Sequence, residues 1–125
     1  MRILPSILTT AGTVLTLSAG LALFPAPATA ADQGASVVDQ GREIAFDRKK
    51  GNCLACHQIE GGSLAGNIGP PLIAMKARFP DKSKLRAQVW DSTRANPNSI
   101  MPPFGRQQVL SESEIDKVVE FIYTL

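Results

Sequence analysis

The sequence predicts an all-α fold, and three observations support this prediction. Apolar residues recur at helical spacing near both ends of the region after residue 30, as at Val37, Val38 and Ile44. No segment alternates apolar and polar residues over a useful strand length, and no internal repeat is present. Glycine and proline concentrate between the periodic segments, where they end helices and form loops. We therefore expect several short helices in one small domain, whose protein core is marginal on its own.

The first thirty residues have the organisation of an export signal. Arg2 precedes an apolar stretch over residues 7–24 and small residues at 28–30. We predict cleavage after residue 30, a mature domain over residues 31–125, and a location in the bacterial periplasm. A retained anchor is the alternative, because the stretch approaches the roughly 18–20 residues that span a bilayer. The glycines and prolines around it favour cleavage, without stable membrane insertion afterwards.

The charge of the mature domain is nearly balanced. Arg2 is the only charged residue in the first thirty, so its removal lowers the formal net charge from +2 to +1. This balance argues against a nucleic-acid partner, which would require a clustered positive surface. Basic residues do group at positions 48–50 and 76–86, either as solvated faces or as a docking patch.

The first helix is predicted over residues 37–50. Gly41 lies in its interior, where glycine costs about 1 kcal/mol relative to alanine. A close crossing by another helix would explain a glycine there. Gly51 and Asn52 then end the helix, and a second short helix is expected to end by residues 61–62.

That second helix carries the most specific motif, Cys53-Leu54-Ala55-Cys56-His57. Two thiols three positions apart, followed directly by histidine, form the attachment sequence of a c-type haem. Cys53 and Cys56 form the two thioether bonds, and His57 is the first axial ligand of the iron. We therefore predict one covalently bound haem c.

Other uses of the motif are less consistent with the chain. It holds only these two cysteines and this one histidine, so a zinc site would lack its second ligand pair. A thioredoxin-like redox pair normally follows a strand in a β/α pattern, which is absent from the sequence. A plain disulfide would leave without a role both His57 and the later loop that carries Met101, here called the methionine loop.

Residues 63–71 are predicted to be irregular, and residues 73–79 to form a helical turn or two. Asp81 or Ser83 then caps a helix that runs to about residue 94. Its buried side is expected to carry Leu85 and Val89. Trp90 either joins this core or donates its indole N–H to a haem propionate.

Met101 is the favoured second axial ligand, since methionine is the remaining residue type that suits an electron-transfer haem here. The prolines at 102 and 103 stiffen its loop and bias it toward extended backbone. Met75 lies in an apolar run, where a core contact is the simpler interpretation.

The last helix is the clearest prediction. Ser111 and Glu114 form a capping box at its start. An apolar stripe follows at helical spacing, comprising Ile115, Val118, Val119, Phe121, Ile122 and Leu125.

The ring of His57 needs a hydrogen-bond acceptor that fixes its tautomer. Proline keeps its carbonyl, and the rigid stretch Gly69-Pro70-Pro71-Leu72 could present one. We choose Pro70 as this acceptor, while a simple rigid turn is the alternative.

These features together resemble class I c-type cytochromes. The resemblance rests on the pentapeptide, on residues 69–72 and 101–103, and on the C-terminal helix. It implies a class I cytochrome c fold, with short helices around the haem and crossing N- and C-terminal helices. The crossing would bring Gly41 near Phe121 or Ile122, with Pro70 accepting from His57 and Met101 as distal ligand.

Residues 41–46, 50–57 and 98–105 more specifically resemble the monohaem X subunits of the Sox thiosulfate-oxidising system. In that family the X subunit pairs with a larger haem-containing A-type subunit. The pair oxidatively couples thiosulfate to a cysteine of a carrier protein, as an L-cysteine S-thiosulfotransferase. The resemblance implies that this chain passes electrons to a downstream periplasmic cytochrome. It has no catalytic residue of its own, because haem attachment uses both cysteines.

Two other functions fit the same motifs. One is a free-standing soluble cytochrome that shuttles electrons between respiratory complexes. The other is a haem sensor or gas-binding protein, which would leave the sixth iron position open.

Overall fold

The structure is a computed structural model that describes residues 35–125. This region contains four α-helices and no strand, which confirms the all-α prediction. The helices are α1 (Val37–Phe46), α2 (Met75–Arg78), α3 (Lys82–Trp90) and α4 (Glu112–Ile122), and 3-10 turns cover Cys53–Ala55 and Ser92–Arg94. Among the described residues, no helix is both long and apolar enough to cross a membrane. The predicted signal segment and its cleavage point lie outside the described residues.

Helix α1 begins with a capping box between Ser36 and Asp39 and ends at Phe46, earlier than predicted. The reason is Asp47, whose backbone is extended and whose carboxylate accepts the N–H of Lys49 at 2.8 Å. An aspartate that bonds the backbone two residues later stabilises a turn and not a further helical turn. The predicted end near residue 50 was therefore wrong.

Helix α3 also ends early. Asp81 caps it by accepting the N–H of Ser83 at 2.9 Å, and Leu85 and Val89 are buried as predicted. Asp91 is extended, and its carboxylate accepts the N–H of Thr93, which starts the separate 3-10 turn Ser92–Arg94. The predicted single helix to residue 94 is therefore divided at Asp91.

Helices α1 and α4 cross at Gly41. A β-carbon at Gly41 would overlap the carbonyl oxygen of Lys117 and lie 3.0 Å from the β-carbon of Phe121. Next to the crossing, the rings of Phe46 and Phe121 meet edge to face with centroids 5.8 Å apart. The predicted crossing of the N- and C-terminal helices is confirmed, and its glycine permits the close approach of the two backbones.

Helix α4 has the predicted capping box. The Ser111 hydroxyl accepts the N–H of Glu114 at 3.3 Å, and the Glu114 carboxylate accepts the N–H of Ser111 at 3.0 Å. Its buried residues belong to the predicted stripe, and they are Ile115, Val118, Val119, Phe121 and Ile122. One face of this helix thus forms much of the core.

Ser111→Ala is expected to lower the free energy of unfolding by roughly 0.5 to 2 kcal/mol, because the cap of α4 is lost. Denaturant titration of the purified protein measures this change. Ser113→Ala is the matched control, since Ser113 is exposed on the same helical turn, and a change within about 0.5 kcal/mol is expected there. Equal effects of the two substitutions would contradict the cap.

Glu114 links this cap to the segment before the cysteine motif. Its carboxylate accepts a hydrogen bond from Lys50 at 2.5 Å, and this bond, with those from Ser111, lowers the pKa of Glu114 from 4.5 to about 2. A carboxyl whose pKa is lower in the folded state adds stability above its unfolded pKa. That contribution is lost as the pH falls from about 4.5 toward 2.

Glu114→Gln should therefore be less stable than the wild type at pH 6, with a difference that shrinks below about pH 4.5. Unfolding measured from pH 6 to pH 2 tests this expectation. A difference that stays constant over the whole range would contradict it.

Candidate functional site

The cysteine motif forms a tight turn that directs three side chains to one place. Asn52 enters the turn with a left-handed backbone, and the N–H of His57 bonds to the carbonyl of Cys53 at 2.9 Å. Cys53, Cys56 and His57 are all half-buried, and all three line the same cavity. Burial raises the pKa of the Cys53 thiol to about 11, which is opposite to the activated thiolate of a redox-active pair.

The cavity has a volume of about 700 Å³. Its wall is built mainly from apolar side chains of α2, α3, α4 and the loops between them, including Leu72, Phe79, Leu85, Val89, Phe104 and Val118. Met101 also lines it. A volume of this size, with a largely apolar wall and polar side chains such as Arg48, Asn52 and Gln88 among its lining, is typical of a cofactor site.

The ring of His57 is held by a hydrogen bond at one of its two nitrogens, Nδ1. Its Nδ1 lies 2.7 Å from the carbonyl oxygen of Pro70, which is the partner that the sequence predicts. Because a carbonyl only accepts, Nδ1 carries the proton in this bond, and Nε2 keeps its lone pair. Gly69 packs against the ring, where a β-carbon would lie 2.5 Å from Cε1. The ring is therefore fixed in a tautomer that suits metal binding.

The two methionines of the described region differ in their surroundings. Met75 is 2% exposed, and its sulfur accepts a hydrogen bond from the guanidinium of Arg78 at 3.4 Å. Met101 is half-buried, and its backbone is tied to Ser92 and Ser99. Although both line the cavity, only Met75 has its sulfur engaged within the protein. This difference favours Met101 over Met75 as a ligand of a metal in the cavity.

Trp90 belongs to the core and not to the cavity wall. Its indole N–H donates to the carboxylate of Glu112 at 2.8 Å, and its ring packs partly buried against the core. The core interpretation therefore fits better than a bond to a haem propionate.

The described residues fit a haem and do not fit a zinc site. Within residues 35–125, no cluster of three or more His, Cys, Asp and Glu side chains is placed to hold a metal ion. Both thiols are free and face the cavity with His57. A tethered porphyrin requires this combination of thiols, a histidine with a free nitrogen and an apolar slot.

Sequence reasoning missed Ser92. This side chain is fully buried and bonds to the methionine loop. Nothing in its local sequence sets it apart from other serines, because its contact depends on how residues 92, 99 and 101 meet in the fold.

The chain matches one protein family and is similar to a solved structure and to a curated relative. Residues 29–122 match the family described as "Cytochrome C oxidase, cbb3-type, subunit III". The solved structure of SoxXA from P. pantotrophus has a TM-score of 0.62 and 27% identity, with 68% of this chain and 78% of that chain covered. An uncharacterized lipoprotein of Aquifex aeolicus (strain VF5) is 33% identical over 76 residues, or 60% of this chain. The match spans 37% of the length of that relative.

Proposed function

Because the chain belongs to the cytochrome c family described as cytochrome c oxidase, cbb3-type, subunit III, we propose that it binds one haem c and serves as the electron-transfer subunit of a SoxAX-type complex. The observation that carries this proposal is the single cavity that Cys53, Cys56, His57 and Met101 all line. The similarity to SoxXA supports the more specific assignment.

Each residue of the cavity has a separate task. Cys53 and Cys56 would tether the haem through thioether bonds, and His57 and Met101 would hold its iron. When bound, the haem supplies a centre that accepts and releases one electron at a time. Pro70 orients His57, and the apolar wall keeps water away from the ligands, which favours retention of the methionine.

The sulfur chemistry must then take place on another protein. Joining thiosulfate to a carrier cysteine forms one S–S bond and releases one proton and two electrons from the thiol and the thiosulfate. This chain has no third cysteine and no second histidine, so it provides neither a sulfur nucleophile nor an imidazole base once the haem is attached. Its part is to receive those electrons from a larger haem-containing A-type subunit and pass them singly to a downstream periplasmic cytochrome.

The cavity mouth is a suitable surface for this exchange. Ile68 and Ile100 line the cavity and are 65% and 77% exposed, and Arg48 and Lys49 are exposed at the same opening. Apolar side chains bordered by charged ones are typical of protein interfaces. We place the contact with the A-type subunit here.

A second candidate is electron transfer between respiratory complexes, which the description of the matched family favours because it names an oxidase subunit. In this role the protein would act without an A-type partner. The two candidates share the haem site and differ in the source of electrons.

Affinity purification of the tagged mature protein from its own periplasm separates them. We expect a second haem protein to copurify, and we expect thiosulfate with the carrier protein to reduce this haem only when that partner is present. A monomer that thiosulfate does not reduce in any fraction would contradict the SoxAX-type assignment and favour the respiratory role. Avid carbon monoxide binding without displacement of methionine would contradict both and favour a sensor.

A further inference from the structure

Ser92 lies at the start of the 3-10 turn Ser92–Arg94 and is 0% exposed. Its hydroxyl oxygen is 2.9 Å from the carbonyl oxygen of Met101 and 2.9 Å from the hydroxyl oxygen of Ser99. The hydroxyl oxygen of Ser99 in turn accepts the backbone N–H of Met101 at 3.3 Å. Two serines therefore bond to both backbone polar groups of one methionine.

The direction of these bonds follows from the chemistry of the groups. A carbonyl only accepts, so the single proton of Ser92 goes to Met101. The bond between the two hydroxyls is then donated by Ser99. The result is a closed ring of three hydrogen bonds, in which each bond polarises the next.

The ring is one of two anchors that hold the methionine loop on the end of α3. At the other end of the loop, the N–H of Gly105 bonds to the carbonyl of Trp90 at 3.0 Å, and the guanidinium of Arg106 pairs with Asp91 at 2.9 Å. Between the anchors stand two prolines, which have no N–H to donate. Within residues 35–125, the backbone N–H and carbonyl of Met101 therefore bond only to these two serines.

We propose that Ser92 is a positioning residue that keeps Met101 on the haem iron. A thioether is a weak neutral ligand, so its occupancy depends on how firmly its backbone is held against competing ligands. The inference rests on the proposed function, because it takes Met101 as the second axial ligand. Beyond that function, it assigns to Ser92 the role of setting how strongly Met101 is retained as a ligand.

The test uses imidazole as a competing ligand for the ferric holoprotein. Displacement of methionine is followed through the weak near-infrared band of ferric methionine ligation. For Ser92→Ala we expect half-displacement at about one tenth of the wild-type imidazole concentration, since both bonds of the Ser92 hydroxyl are lost, and only the bond to the Met101 carbonyl bears directly on the ligand. Ser99→Ala should show a similar shift, and the double variant less than the combined shift, because both act in one ring.

Ser111→Ala is the control, since it removes a serine hydroxyl that caps α4 and does not contact Met101. This variant should have a lower global stability, while the imidazole concentration that half-displaces the methionine stays at the wild-type value. The role of Ser92 is overturned if the near-infrared band is present and both Ser92→Ala and Ser99→Ala need the wild-type imidazole concentration for half-displacement. If the Ser92→Ala variant does not fold, the test rests on Ser99→Ala, because the side chain of Ser99 is only half-buried. If the wild-type protein lacks the near-infrared band, the assignment of Met101 as a ligand is itself overturned. If the band is present but its displacement by imidazole is the same in the serine variants as in the wild type, only the role of Ser92 is overturned.

Discussion

Met101→Ala is expected to abolish the near-infrared band of ferric methionine ligation and to lower the reduction potential. The reason is that methionine favours the reduced iron, while the water or hydroxide that would replace it does not. The fall should be a sizeable fraction of the roughly 0.8 V that axial ligands span. Optical spectra and a potentiometric titration of the purified holoprotein measure both changes.

Met75→Ala is the matched control for this prediction. Met75 lines the same cavity, but its sulfur is bonded to Arg78 and its side chain is buried in the core. We expect the variant to lose roughly 2–5 kcal/mol of stability through the cavity it creates, while it keeps the band and the ligand set. If the Met75 variant lost the band and the Met101 variant kept it, Met75 would be the ligand.

Gly41→Ala is expected to destabilise the protein by about 1–3 kcal/mol, although alanine is the better helix former. The new methyl group would overlap the carbonyl oxygen of Lys117. Relief of this overlap requires α1 and α4 to separate, which loosens their packing along the whole contact. Denaturant titration and the melting temperature of the holoprotein measure the effect.

Glu43→Ala provides the comparison, because Glu43 is exposed on the same helix. A change within about 0.5 kcal/mol is expected there. If Gly41→Ala were neutral or stabilising, helix propensity alone would govern the position, and the close crossing would be wrong.

Features encoded locally were predictable from the sequence. A capping box needs only two residues three positions apart, and Ser111 with Glu114 meets that requirement. A glycine inside a helical pattern also carries a recognisable cost, which pointed to the crossing at Gly41. The motif at Cys53–His57 is equally local, so the elements of the site could be found without the fold.

Other features depend on how distant segments meet. Asp47 and Asp91 end their helices through side-chain bonds to backbone N–H groups, and an aspartate in the sequence does not reveal which bond it makes. The ring around Met101 joins two segments that come together only in the fold. The sequence therefore pointed to Met101 as a candidate ligand, but not to Ser92, which bonds to its backbone.

We propose that Cys53 and Cys56 hold one haem covalently, with His57 as a ligand of its iron. Intact mass spectrometry of the protein purified from its native host, under denaturing conditions, measures this attachment. We expect a mass equal to the polypeptide plus one haem, reduced to the polypeptide alone when Cys53 and Cys56 are both replaced by serine. A wild-type mass equal to the polypeptide alone, or to the polypeptide less two hydrogens from a disulfide, would contradict it.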